Sequence, residues 1–492
     1  MILIAVLILA TVDLAVFEKN VTTYTLPNGL KFIIYERHDA PVVSFHIHVK
    51  AGAVNEELGT TGIAHLLEHL AFRGTKKIGT KNWKKERKIL TQLDDVREEI
   101  IMAKHEGDTA KLRKLISRFN LLDSIAQIYE ETEELSRIYE EMGGRGINAY
   151  TSYDMTCYMV SLPSNKIELW AYLESDRLAN PILRGFYREL EVVKEERRMD
   201  ENSPVDRLNE ELDGITFKVH PYGRPIIGYM EDLEDMTRRK VLEFYHKYYV
   251  PENMVIAIVG DVYPEELIPI LKKYFSKLPK RKPETKNIPK EPKQWGERRV
   301  IIEMPAQPLL MINYHIPNCK HKDVVALDVL AEILGEGRFS RLYRRLVEEE
   351  KVATRVLAWA WTPKYPGVFT IYAVPARGHT AYEVEKIIYD EIDKLIKEGI
   401  KSYELVRAKS RIKVNELLRL DDNEELAEEL AWYEAVTGDW RNLFKYLENI
   451  DKVDETFVKS VAEKYLVRNC LLYTSDAADE GLGVDLGGRR II

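Results

Sequence analysis

Along the first half of the chain, apolar positions switch between a period of two and a period of about 3.6, and each switch marks a strand or a helix. Residues 22–35 carry apolar side chains on both sides of Pro27-Asn28-Gly29, and an Asn-Gly pair between two strand-like runs predicts a hairpin. Residues 42–49 alternate as a strand. Two stretches, 83–105 and 109–139, repeat apolar residues at helical spacing (Ile89, Leu93, Val96, Ile100, then Leu112, Leu115, Phe119, Leu122) on either side of Gly107-Asp108, and predict an antiparallel helical hairpin. Gly143-Gly144 ends it, residues 147–162 return to strand character, and a helix follows over 167–179. The run 255–259, followed by Gly260-Asp261, is apolar without a break, as in a strand buried on both faces.

Between 279 and 296, Pro279, Pro283, Pro289 and Pro292 stand among lysines, a composition suited to an exposed, extended connection. Beyond it the order repeats: strands at 300–304 and 309–316, a helix at 324–334, a strand-like run at 367–374, then helices. Each half reads as α+β, so two similar domains from an internal duplication are expected, each a mainly antiparallel sheet packed with helices. The expected division is 17–262 with the helical hairpin inserted at 83–140, a linker region at 263–296, and a second domain at 297–470. Within 1–16, the first twelve residues form an apolar run too short to span a membrane but long enough for a signal-peptide core, without a basic region before it. This points to a periplasmic or secreted protein, with cytoplasmic residence the alternative. Residues 471–492 show no strand or helix period and read as a tail resembling a frameshift or cloning scar.

Composition narrows the class. Of 492 residues, 45% are hydrophobic and 31% charged, with a net charge of -8, which fits a globular protein and argues against nucleic acid as the main partner. Glutamine occurs only at 92, 127, 294 and 307 among abundant Lys, Arg and Glu, a bias resembling that of thermophile proteins. Cys157, Cys319 and Cys470 are widely spaced and odd in number, so neither a disulfide framework nor a cysteine zinc site is expected.

The candidate chemistry sits at His65-Leu66-Leu67-Glu68-His69. On a helix, positions i, i+3 and i+4 share a face, so both imidazoles and the carboxylate can reach one point, where a metal would sit. The glutamate is fourth of five, the inverted order of the inverzincins. Leu66, Leu67, Leu70 and Phe72 give the helix an apolar face. A catalytic zinc needs a third protein ligand, and the segment from Glu189 to Arg198 offers Glu189 and Glu196 on one helical stripe; taken alone, it reads equally as a solvated charged face. His46 and His48 alternate on the 42–49 strand, and neither they nor His220 are assigned to metal.

Together with Asn148-Ala149-Tyr150-Thr151, Pro251-Glu252-Asn253-Met254 and Gly260-Asp261, these motifs resemble the pitrilysin and insulysin family of zinc metallopeptidases, most closely its half-length members such as mitochondrial processing peptidase. The resemblance implies a two-domain fold forming half of a clam-shell chamber, and a zinc-dependent endopeptidase binding one Zn2+ per chain. It implies His65, His69 and Glu196 as metal ligands, with Glu195 the competitor if the register is off by one. Glu68 would be the base that takes a proton from the attacking water, and Glu189 a supporting carboxylate that braces a histidine. Asn148, Ala149 and Tyr150 would lie on an edge strand that pairs with an extended substrate. The alternative is a non-catalytic scaffold or partner subunit.

Two features depart from that family. Its members carry an arginine and, seven residues later, a tyrosine that stabilise the oxyanion, whereas aligning the segment 340–346 puts Val347 and Thr354 at those places. The expected partner is therefore a homologous subunit that supplies the Arg/Tyr pair in a heterodimer. The hairpin also separates His69 from Glu196 by more residues than the family spacing, consistent with a gate, a grip on the partner, or simple embellishment.

Overall fold

The computed structural model describes residues 17–468 and 471–477. The expected signal segment and residues 478–492 lie outside the described residues. Among the described residues two compact units are present: 17–200, 219–290 and 410–449 form one, and 201–218, 291–409, 450–468 and 471–477 form the other. The chain thus crosses between units more often than the contiguous division expected from sequence.

The first unit is built on a six-stranded sheet of β1 (Val21–Thr25), β2 (Lys31–Glu36), β3 (Val42–Val49), β4 (Arg145–Thr151), β5 (Thr156–Pro163) and β6 (Met254–Gly260), ordered β1-β2-β6-β3-β5-β4. Only β2 and β6 pair in parallel. The Asn-Gly hairpin forms, and Asn28 is more than a turn former: its buried side-chain amide donates to the carbonyls of Phe275 (2.9 Å) and Leu278 (3.1 Å). Alternation sorts the faces. Phe32, Ile34, Phe45, Ile47, Ile256 and Ile258 point into the main core, where Phe45 stacks on Trp170. Ile33, Tyr35, Val255, Ala257 and Val259 point the other way, onto Leu426, Leu430, Trp440 and Phe444. The unbroken 255–259 run therefore reflects burial on both faces.

Helices α1 (Ile63–Ala71), α2 (Trp83–Glu106), α3 (Thr109–Tyr129), α4 (Ile167–Ala179) and α5 (Phe186–Asn202) belong to the main-core side. The α2–α3 hairpin starts as read from sequence, but α3 stops at Tyr129 and a separate helix, Glu134–Glu141, follows. It is no appendage, since Leu90, Leu93, Val96, Ile100, Leu115 and Leu122 are part of the main core. Residues 263–296 are likewise only partly a linker. Pro264–Phe275 is a helix that buries Leu267, Leu271 and Phe275, and the extended stretch starts after it. Helix α6 (Asn423–Trp432) covers the opposite face of the sheet.

In the second unit, β7 (Arg298–Met304), β8 (Leu309–Ile316), β9 (Ala353–Trp361), β10 (Gly367–Pro375) and β11 (Leu471–Ala477) are ordered β7-β11-β8-β10-β9. Both sheets insert their last strand in sequence between an early parallel partner and an antiparallel one. This shared topology is what a duplicated α+β unit leaves behind. Residues 471–477, part of the stretch read as a tail, fill the slot that β6 fills in the first sheet, although their sequence has no strand period, because backbone pairing on both sides decides the conformation.

Candidate metal centre

Helix α1 is set by its beginning. Gly62 adopts φ +84, and a Cβ there would lie 2.2 Å from the Ile227 carbonyl oxygen, so only glycine fits. The buried Glu56 carboxylate accepts from the amides of Gly62 and Ala64, both at 2.9 Å, donors that a helix start leaves without intrahelical partners. Leu66, Leu67 and Leu70 are buried, which leaves the other face to His65, Glu68 and His69. The imidazoles of His65 and His69 lie with centroids 4.7 Å apart.

Helix α5 brings Glu196 to them. Its carboxylate oxygens lie 3.9 Å from His65 Nε2 and 3.7 Å from His69 Nε2, and one ligand atom from each of the three residues falls within 4.8 Å of the others. Glu195 points elsewhere, 68% exposed and paired with Arg198 of its own helix, so of the two neighbouring carboxylates it is Glu196 that lies beside the imidazoles. Two turns earlier, Glu189 Oε1 is 3.0 Å from His69 Nδ1, and its other oxygen accepts from Arg73. The histidine that Glu189 braces is therefore His69, while His65 Nδ1 is buried without a hydrogen-bond partner.

The electrostatics suit a cation. Burial, aided by His69, pushes the His65 imidazole down to about 4, which keeps it neutral with a lone pair to give. The Glu189 hydrogen bond raises His69. Burial works against ionisation of Glu189, yet its bonds to His69 and Arg73 outweigh it and hold the group below the usual range. Glu68 is raised by burial, partly offset by the Thr151 hydroxyl, which donates to it at 2.8 Å. Two imidazoles and one carboxylate form a donor set that hydrolytic zinc takes, with ligand–ligand separations of roughly 3.4 Å around a tetrahedral ion; the three side chains fit such an ion after small movements.

Strand β4 is the edge of its sheet, next to α1, and holds Asn148, Ala149 and Tyr150. Its outer side is unpaired within the sheet, but the Tyr150 side chain is engaged, donating its hydroxyl to Glu428 on α6. Arg73 escapes the sequence reading, and Thr151, present only as the end of the Asn148–Thr151 motif, has no role in it; both reach the centre through tertiary packing.

Residues 31–92 and 121–229 match the family described as Insulinase (Peptidase family M16), and residues 235–412 match the Peptidase M16 inactive domain. His65, His69 and Glu196 all fall within the first match. Zinc protease PqqE of Helicobacter pylori is 28% identical over 451 residues, covering 90% of this chain and 89% of that protein. The probable mitochondrial-processing peptidase subunit beta of Arabidopsis thaliana is 26% identical over 480 residues, covering 95% and 78%. A solved structure of a protease from Helicobacter pylori superposes with a TM-score of 0.78 at 26% identity, over 93% of this chain and 99% of that one. The fold is also that of the periplasmic protease PqqL of Escherichia coli (TM-score 0.68, 18% identity), of which it covers 52%. With an inverted zinc motif in one family match and the companion domain in the next, this chain belongs to the insulinase family of peptidases, family M16, and is similar to its half-length zinc proteases.

Proposed function

We propose that this chain is the zinc-bearing subunit of an endopeptidase that cleaves peptides or unfolded polypeptides. The observation that carries the reading is the convergence of His65, His69 and Glu196 on one point beside Glu68. His65, His69 and Glu196 would hold one Zn2+. When bound there, zinc supplies a Lewis acid and lowers the pKa of water towards neutrality. Glu68 accepts the proton lost by the attacking water and returns it to the leaving amine, while Thr151 orients its carboxylate. Glu189 fixes the His69 ring with Nε2 facing the metal position. Asn148, Ala149 and Tyr150 offer main-chain groups along an open strand edge, so an extended substrate is gripped by its backbone and many sequences are accepted.

Because Val347 and Thr354 occupy the places of the oxyanion pair, the active enzyme is a heterodimer with a related chain that supplies the arginine and tyrosine. The apolar run within residues 1–16 favours a periplasmic or secreted location in this reading, with cytoplasmic residence the alternative. No helix among the described residues is long and apolar enough to cross a membrane.

The test uses the enzyme as purified, with any co-purifying chain. Glu68→Gln should keep its zinc but lose turnover of a quenched peptide by about 10²- to 10⁴-fold, and Glu196→Gln should lose zinc. Full activity in Glu68→Gln would overturn the mechanism. Full zinc loading without turnover in the wild type, with or without a related chain, would favour the non-catalytic partner subunit.

A further inference from the structure

On the face of the first sheet opposite α1, a second cluster of metal-binding side chains is assembled from three elements. His46 and His48 are two apart on β3 and so share a face. Cys157 on β5 is the direct cross-strand partner of His48. Helix α6 packs over the same face and lowers Glu428 between them. Glu428 Oε2 lies 3.0 Å from His46 Nδ1, 3.0 Å from His48 Nε2 and 3.6 Å from Cys157 Sγ, and Cys157 Sγ is 3.8 Å from His46 Nδ1. One ligand atom from each of the four residues lies within 4.8 Å of all the rest.

We propose that His46, His48, Cys157 and Glu428 form a second, structural metal site that takes a zinc-class divalent cation. Four ligands surrounding an ion at 2.0–2.3 Å stand roughly 3.3–3.8 Å apart, close to the spacing seen here before any rearrangement. Two imidazoles and a thiolate select zinc or cobalt and disfavour magnesium and calcium, which require oxygen. Three of the four ligands are buried, His46 2% exposed and His48 and Cys157 0%, and Glu428, 21% exposed, is the outer one. With four protein ligands and no open position it would tie α6 to the sheet rather than activate water. Its neighbour Tyr150 donates to the second Glu428 oxygen, which would fix the ligating carboxylate. Metal-free, the same atoms form a hydrogen-bonded hub, with the Cys157 thiol held protonated by burial and by Glu428. Loading would release that thiol proton to solvent and move each imidazole proton to the ring nitrogen away from the ion.

The hub and the metal site differ in one optical property, because the His65–His69–Glu196 centre contains no sulfur. Cobalt added to the chelator-stripped full chain should produce a near-ultraviolet thiolate-to-cobalt charge-transfer band. That band should persist in Glu196→Gln and disappear in Cys157→Ser. Zinc content should correspondingly be two per chain in the wild type and one in either variant. Glu428→Gln, which keeps an acceptor for the imidazoles but is a poor ligand, should also lose the band, and it decides the matter if Cys157→Ser does not fold. Absence of the band in the wild type, or its survival in Cys157→Ser or in Glu428→Gln, overturns the proposal. Loss of zinc from the catalytic centre alone, with the band intact, would count against the peptidase reading and leave this one standing.

Discussion

Glu189 holds its position by a balance of opposing terms. Burial penalises its charge, while His69 and Arg73 on either oxygen repay that penalty and keep it ionised. A carboxylate so placed orients the imidazole and raises its basicity as a ligand, and losing such support typically weakens metal binding by about 10- to 100-fold. Glu189→Gln should therefore weaken zinc by that factor in a titration against a competing chelator; unchanged affinity would reduce the contact to incidental packing. Gly62 exerts control from the other end of α1. Gly62→Ala should cost about 1–3 kcal/mol for a side chain at positive φ, more if the Ile227 carbonyl cannot retreat, and should appear as a lower unfolding midpoint together with poorer zinc retention. The sequence makes His65, Glu68 and His69 legible because helix periodicity alone puts them on one face. Glu196 is legible only to within one residue, since neighbouring glutamates differ by a rotation about the helix that the tertiary packing of α5 decides. Of the second cluster only the pair His46 and His48, two apart on one strand, is legible; Cys157 and Glu428 share no spacing with them, and only strand register and the docking of α6 unite the four.

Elements that looked peripheral in the sequence turn out to be structural. The α2–α3 hairpin carries helical periodicity and was readable as such, but periodicity does not say what an apolar stripe packs against, and here it packs into the main core. Its first turn is pinned by Glu86, 0% exposed, to Arg184, 3% exposed. Arg184 also donates to the carbonyls of Arg73 (2.6 Å), Thr75 (2.9 Å) and Ile78 (3.2 Å), holding the loop that leaves α1. Glu86→Ala would strand that guanidinium without a counter-charge, and breaking a buried pair costs about 3–5 kcal/mol. The expected result is a correspondingly lower urea midpoint and a loosened metal centre, whereas a change within error would show that the carbonyls alone satisfy Arg184. In the second unit, Asp323 accepts from Lys464 Nζ and Tyr465 Oη, both at 2.7 Å, just before the helix Val324–Leu334. Burial opposes its ionisation, but these donors prevail and its pKa falls below the ordinary 3.8. A depressed carboxylate contributes stability that is present above its unfolded pKa and lost as pH falls through the folded one. Asp323→Asn should thus cost roughly 1–2 kcal/mol at neutral pH, trimmed by the exposure of Lys464, and the difference from wild type should shrink progressively below about pH 3.8; a constant difference across that range would assign the effect to packing.

At the scale of the whole molecule, the two sheets share one strand order apart from β1, yet only the first unit carries the zinc motif, and in the second Val347 and Thr354 stand where the resemblance places the oxyanion donors. The family match breaks between 92 and 121, so the lengthening sits at the distal part of the hairpin, while its base aligns. Of the arginines in segment 340–346, Arg341 is committed to Glu404 at 2.7 Å and Arg345 to Glu350 at 3.0 Å and Glu391 at 3.2 Å, while Arg344 is exposed and 3.6 Å from Glu349. Thr354 is likewise a strand residue of β9, its hydroxyl within 3.3 Å of the Val374 carbonyl. Removing one oxyanion donor typically costs 10²- to 10³-fold in turnover. The isolated chain, fully loaded with zinc, should therefore turn peptides over at least about 10²-fold more slowly than a mixture with a related chain carrying the arginine and tyrosine. Restoring activity should require both chains at once: Glu68→Gln here, or replacement of the arginine there, should each abolish it, because the proton carrier and the oxyanion donor would sit on different polypeptides. An isolated chain with full turnover would place the donors within this sequence and dismiss the heterodimer.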